Sequence, residues 1–183
     1  MKLIISLMCA LGLSQSAFSM TLQSAYKSNL CMDVNRGESS DWRYESNVEV
    51  WPCHGQENQQ FTLQPVNPAA DIMTFTIRSM GKCLDVDMGY EDYWTHYNNV
   101  QLFTCNGGLN QQFTLQSKGS GWFMIRSMLD GRCLDVDLNV NNGWRYEHNV
   151  QLWKCTGEPN QLWKFQAFDG GGNDDIIITP SGY

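Results

Sequence analysis

Asp135, Gln151 and Trp153 recur with small changes as Asp85, Gln101 and Phe103, and again as Asp33, Glu49 and Trp51. An acid, an amide and a flat ring are the equipment of sugar recognition. The carboxylate accepts hydrogen bonds from two adjacent hydroxyls, the amide both donates and accepts, and the ring covers the apolar face of a pyranose. Charge-assisted hydrogen bonds are the stronger kind, so the aspartate is expected to carry most of the selectivity.

For these side chains to meet, strands must present them. Successive side chains of a strand point to opposite faces. In Cys133-Leu-Asp-Val-Asp137, Leu134 and Val136 share one face while Cys133 and Asp135 share the other. In Asn149-Val-Gln-Leu-Trp-Lys-Cys155, Val150 and Leu152 oppose Gln151, Trp153 and Cys155. The apolar sets must face the core, and a Cys133–Cys155 disulfide, which needs close Cβ atoms, would tie the two remaining faces together. The expectation is that Asp135, Gln151 and Trp153 lie on one outward surface. The same sorting places Asp85, Gln101 and Phe103 opposite Leu84, Val86, Val100 and Leu102, and Asp33, Glu49 and Trp51 opposite Met32, Val34, Val48 and Val50. A plainer reading stands beside this one: the Asp could end a strand by bonding to a turn, and the ring could shield the disulfide.

The elements themselves repeat. A cysteine is followed 22 positions later by another at Cys31/Cys53, Cys83/Cys105 and Cys133/Cys155, with first-cysteine offsets of 52 and 50 residues. Each copy then carries Asn58-Gln-Gln-Phe61, Asn110-Gln-Gln-Phe113 or Asn160-Gln-Leu-Trp163. Self-similarity at such a period means one supersecondary unit repeated. Short β-branched and aromatic runs such as Thr74–Arg78 and Gln112–Gln116, separated by Gly, Asn, Asp and Ser, read as strands, and no stretch sustains a helical period. With room for four short strands per repeat, the chain is expected to be all-β. The economical closed solution is a β-trefoil, a six-stranded barrel capped by three hairpins; other threefold architectures share the spacing. The repeats are drawn at about residues 20–70, 71–120 and 121–168, together the 20–168 domain, followed by a 169–183 tail in which Ile176–Ile178 could add a last strand.

Lys2, the apolar run Leu3–Leu13 and Ala17-Phe-Ser19 have the layout of a secretory signal peptide over residues 1–19. The run is too short to span a bilayer, so the mature protein is expected to be secreted, without membrane insertion. Of seven cysteines, Cys9 falls in this leader and six remain. Six cysteines allow 15 connectivities, and threefold repetition favours pairing within each repeat. Zinc is a poor match, since no Cys-x-x-Cys occurs and His54, His96 and His148 are not at equivalent positions. The net charge of −7 disfavours nucleic acid and anionic membrane as partners.

These repeated words, Cys-Leu-Asp-Val, Asn-Val-Gln-Leu-Trp-x-Cys and Asn-Gln-x-Trp, resemble the ricin-type β-trefoil lectins, whose hallmark is three Gln-x-Trp repeats. The resemblance covers nearly the whole mature chain. It implies core roles for Gln59-Gln-Phe61, Gln111-Gln-Phe113 and Gln161-Leu-Trp163, with Phe replacing Trp twice. It implies sugar contacts from Asp135, Gln151, Trp153 and Asn160, from Asp85, Gln101, Phe103 and Asn110, and from Asp33, Glu49, Trp51 and Asn58. In the last set Glu replaces Gln, and facing carboxylates repel, so the sites rank third, second, first. The glutamines that follow each Asn read better as buried structural amides.

The cysteine spacing is longer than the family's common one, and the extra loop holds Trp42, Trp94 and Trp144, with Tyr44, Tyr93, Tyr97 and Tyr146 nearby. These rings either extend the pockets or lock the loops to the barrel, with packing favoured. Asp87 and Asp137 raise a calcium ion in the loop as a minor alternative; otherwise no metal or cofactor is expected. No Gly-x-Ser-x-Gly, His-Glu-x-x-His or phosphate loop is present. The chain therefore reads as a non-enzymatic lectin of glycans on glycoproteins or glycolipids, of the galactose or N-acetylgalactosamine type by resemblance. The alternative is the cell-binding subunit of a secreted toxin or adhesin with a separate catalytic partner.

Overall fold

A computed structural model describes residues 19–37, 46–67, 72–88, 98–138 and 148–167. Residues 1–18 of the leader, the loop residues Trp42, Tyr44, Tyr93, Trp94, His96, Tyr97, Trp144 and Tyr146, and the tail lie outside them.

Twelve strands appear among the described residues, four per repeat. They are β1 (Met20–Ser24), β2 (Leu30–Val34), β3 (Val48–Pro52), β4 (Thr62–Pro65), β5 (Phe75–Ser79), β6 (Lys82–Val86), β7 (Val100–Phe103), β8 (Phe113–Gly119), β9 (Trp122–Ser127), β10 (Cys133–Val136), β11 (Val150–Trp153) and β12 (Trp163–Ala167). Six of them close a barrel: β12 pairs with β1 and β9, β8 with β9 and β5, and β4 with β5, all antiparallel. The ring is completed at Met20 and Phe61, which exchange backbone hydrogen bonds of 2.9 and 2.8 Å. Equivalent pairs, Phe75 with Phe113 and Phe123 with Trp163, join the first and last strands of the other repeats. Closure leaves the barrel no free edge.

The apolar sets of the cap strands face the core as their parity predicts. Leu134, Val136, Val150 and Leu152 are fully buried, as are their counterparts in the first two repeats apart from Leu102, which is nearly so. Phe61, Phe113 and Trp163 are also fully buried, each such ring contributing roughly 1.5–3 kcal/mol. The larger indole brings a polar atom into the core and satisfies it: Trp163 Nε1 donates to Leu134 O at 3.3 Å. Phenyl rings at positions 61 and 113 need no such partner.

Hairpins β2–β3, β6–β7 and β10–β11 form the cap. Each is stapled by its own disulfide, Cys31–Cys53, Cys83–Cys105 and Cys133–Cys155, with Cα atoms 5.0–5.1 Å apart. The within-repeat pairing favoured by the threefold pattern is the one observed. On the pseudo-threefold axis the cap is joined by a cycle of amides. Asn47 Nδ2 donates to Asn149 Oδ1, Asn149 Nδ2 to Asn99 Oδ1, and Asn99 Nδ2 to Asn47 Oδ1, at 2.9–3.0 Å. Among the described residues no helix is long and apolar enough to cross a membrane.

Candidate functional site

Each cap hairpin aligns the predicted residues in register. Cys133 lies opposite Trp153 and Asp135 opposite Gln151; Cys83 opposite Phe103 and Asp85 opposite Gln101; Cys31 opposite Trp51 and Asp33 opposite Glu49. Directly opposed residues of an antiparallel pair share a face, so the acid, the amide or second acid, and the ring do gather on one side of each hairpin.

They do not all face outward. Trp51, Phe103 and Trp153 are about half exposed, but Asp33, Asp85 and Asp135 are each only 4% exposed and Gln151 is buried. This corrects the expectation of an exposed carboxylate. Parity assigns a face, not a depth, and a short turn of the same repeat folds over that face. The 3-10 turns Glu57–Gln59, Leu109–Gln111 and Pro159–Gln161 bring an Asn and a Gln down onto each aspartate.

The contacts repeat almost atom for atom. Asn160 Nδ2 and Gln161 Nε2 both donate to Asp135 Oδ2 at 2.8 Å, while Gln151 Nε2 reaches Oδ1 only at 3.4 Å. In the second repeat Asn110 and Gln111 hold Asp85 Oδ2 at 2.9 and 2.7 Å, and Gln101 lies 3.5 Å from Oδ1. One oxygen of Asp135 and of Asp85 is thus held firmly and the other keeps acceptor capacity in reserve. The Asn amides are anchored in turn by Val34 O, Val86 O and Val136 O at 3.1–3.2 Å.

Gln59, Gln111 and Gln161, fully buried, are the structural amides they were expected to be, and they also touch the aspartates. Gln161 Oε1 accepts from the Thr156 and Gly157 N–H groups at 2.7 and 3.2 Å, and Nε2 donates to Lys154 O at 2.8 Å besides Asp135. With four partners the amide is saturated. The loop reaches this arrangement because Gly157, like Gly55 and Gly107, has a positive φ that a side chain would disfavour.

The first repeat departs from the other two. Asn58 holds Asp33 Oδ1 at 2.9 Å and Gln59 holds Oδ2 at 2.8 Å, and His54 Nε2 stands 3.3 Å from that same Oδ2. His54 was not foreseen as a neighbour of the site. Its equivalents are Asn106 and Thr156, so the repeat pattern carried no signal for it. The role of Asn47, Asn99 and Asn149 was also missed, although their identical placement before each Val was visible.

Burial pushes the Asp33, Asp85 and Asp135 carboxyls above the ordinary aspartate range, against hydrogen bonds from Gln59, Gln111 and Gln161 that pull them down. Glu49 is pushed up to about 7, first by burial and then by the charge of Asp33 opposite it. The expected repulsion between these two carboxyls is therefore expressed as proton retention. Among the described residues no group of three or more His, Cys, Asp or Glu side chains could hold a metal ion.

The ricin-type β-trefoil lectin domain model matches residues 18–120 and 73–171, which overlap to cover most of the chain. The chain belongs to the ricin-type β-trefoil lectin family. It is 30% identical over 88 residues to nigrin b of Sambucus nigra, covering 48% of this chain and 13% of that protein. It is 35% identical over 79 residues to the ribosome-inactivating protein PMRIPt of Polygonatum multiflorum, covering 42% of this chain and 10% of that one. Only a small part of either relative's length is therefore spanned. The designed threefold-symmetric protein ThreeFoil superposes with a TM-score of 0.61 at 26% identity, over 80% of this chain and 96% of its own. The trefoil fold and the carbohydrate-binding class of the domain follow from these likenesses.

Proposed function

We infer that this protein is a secreted, non-enzymatic lectin with up to three sugar sites, one at each cap hairpin. The observation that carries the reading is a half-exposed ring beside a buried, amide-held carboxylate, three times over. The ring offers a flat apolar platform for a pyranose. At its edge, Asp135 Oδ1 and Asp85 Oδ1 have acceptor capacity left for sugar hydroxyls, and Asn160, only partly buried, borders the third site. Pre-positioning by Gln161 and Asn160 means the acid need not be ordered when sugar binds, which favours affinity. Galactose or N-acetylgalactosamine is the preference carried by the family resemblance. Single sites of this shallow kind bind weakly, and avidity comes from engaging several glycans at once.

A glycan array followed by titration with free galactose tests this. Wild-type protein should bind a defined set of glycans, and Trp153→Ala with Phe103→Ala should remove most of that signal while the fold is retained. Array silence across neutral and charged glycans would refute the reading.

The similarity to a short part of a ribosome-inactivating protein favours one second reading, a cell-binding subunit that works with a separate catalytic chain. Copurification of such a chain from the native source decides between the two.

A further inference from the structure

The three copies of the site differ at one position that changes the chemistry. Where the second and third repeats oppose the aspartate with Gln101 and Gln151, the first opposes Asp33 with Glu49. A glutamine turns an N–H toward the aspartate, as both do at 3.4–3.5 Å. Once it gives up its proton, a glutamate has none to offer, so the donor of the other two repeats becomes a second acceptor when Glu49 ionises. A further acceptor lies beside Asp33: Asn58 Oδ1, on the amide whose Nδ2 holds Asp33, is buried without a hydrogen-bond partner. Half-exposed Trp51 stands beside them, opposite Cys31 in the same ladder.

We propose that the first-repeat site takes an amino sugar with a free, protonated amine, its ammonium seated at Asp33 and Glu49 and its ring on Trp51. This rests on the lectin reading above. A hydroxyl brings one hydrogen to share, whereas an ammonium brings three and a positive charge, and charge-assisted hydrogen bonds are about twice as strong as neutral ones. The charges around Glu49 are compatible. Asp33 faces it across the ladder with His54 behind, and strands β7 and β11, packed alongside, carry no charged residue. His148 precedes β11 and accepts from Val50 N–H through its carbonyl, and Arg36 is engaged by Glu57 at 3.7 Å. Burial raises the Glu49 carboxyl to about 7, so seating a cation there expels a proton from the protein near neutrality.

The test is calorimetric titration of the full chain at about pH 7 with galactosamine and with N-acetylgalactosamine, repeated in two buffers of different ionisation heat. Wild type should prefer the free amine by about tenfold or more at one site, with proton release that scales with the buffer. Glu49→Gln places there the residue found at 101 and 151; it should collapse the preference to near unity and abolish the proton release. No preference in wild type, or an equal preference in the variant, overturns the proposal while leaving the lectin reading intact if N-acetylgalactosamine still binds. Failure of both sugars to bind either protein overturns the proposal, and the glycan array then decides the lectin reading separately.

Discussion

Asn47 Nδ2 donates to Asn149 Oδ1 at 2.9 Å across 102 residues of sequence, and Asn99 completes the cycle between them. The amides stand two residues before Glu49, Gln101 and Gln151. The backbone of each asparagine also pairs with a candidate-site residue of another repeat, Asn47 with Gln101, Asn99 with Gln151 and Asn149 with Glu49. The three hairpins that carry the candidate sites are thereby set against one another at their common axis.

Asn149→Ala should cost about 1–3 kcal/mol, because it leaves a donor on Asn47 and an acceptor on Asn99 without partners. Adding Asn47→Ala should cost less than it does alone, since the cycle is already open. Urea midpoints of the two single variants and the double variant measure this; additive losses would mean the amides act independently.

Binding and stability should separate by residue. Asp135→Ala removes the shared acceptor of Asn160 and Gln161 and should cost about 2–4 kcal/mol. An outward aspartate would have left stability nearly unchanged. Trp153→Ala, at a half-exposed strand end, should change stability by about 0.5 kcal/mol or less yet lose most sugar binding at that repeat. Thermal melts paired with sugar titrations check both.

Stability should also carry a pH signature from Glu49. Its carboxyl is held at about 7 in the fold against 4.5 in the free side chain. Folded protein then retains a proton that unfolded chain has lost, so this contribution is fully present below 4.5 and disappears as pH rises through about 7. Wild type should lose stability relative to Glu49→Gln between about pH 5 and about pH 8. Paired denaturation curves at those two values suffice, because the other carboxyls are common to both proteins.

Removing one staple tests the cap. The Cys133→Ala/Cys155→Ala pair opens a loop of sequence separation 22 and should cost about 3 kcal/mol in the chain-entropy model. The melt of the double variant reads it directly.

Much of this was written in the one-dimensional pattern. Recurring cysteines, alternating apolar positions and the Gln-x-aromatic word specify three equivalent units and their buried faces and favour the within-repeat disulfides, because strand parity and repeat period are local properties of the chain. Leu134 and Val136 could point only one way once Cys133 pointed the other. What tertiary structure alone decided was depth and neighbourhood. Asp135 is on the foreseen face yet lies beneath Asn160 and Gln161, since how far a turn 25 residues downstream folds back is not set by alternation. His54 meets Asp33 because the chain leaving β3 after Cys53 turns back over its own hairpin, and three asparagines some 50 residues apart meet one another because closing the barrel brings the hairpins to a single axis. Contacts across a symmetry axis belong to no one segment, so no segment announces them.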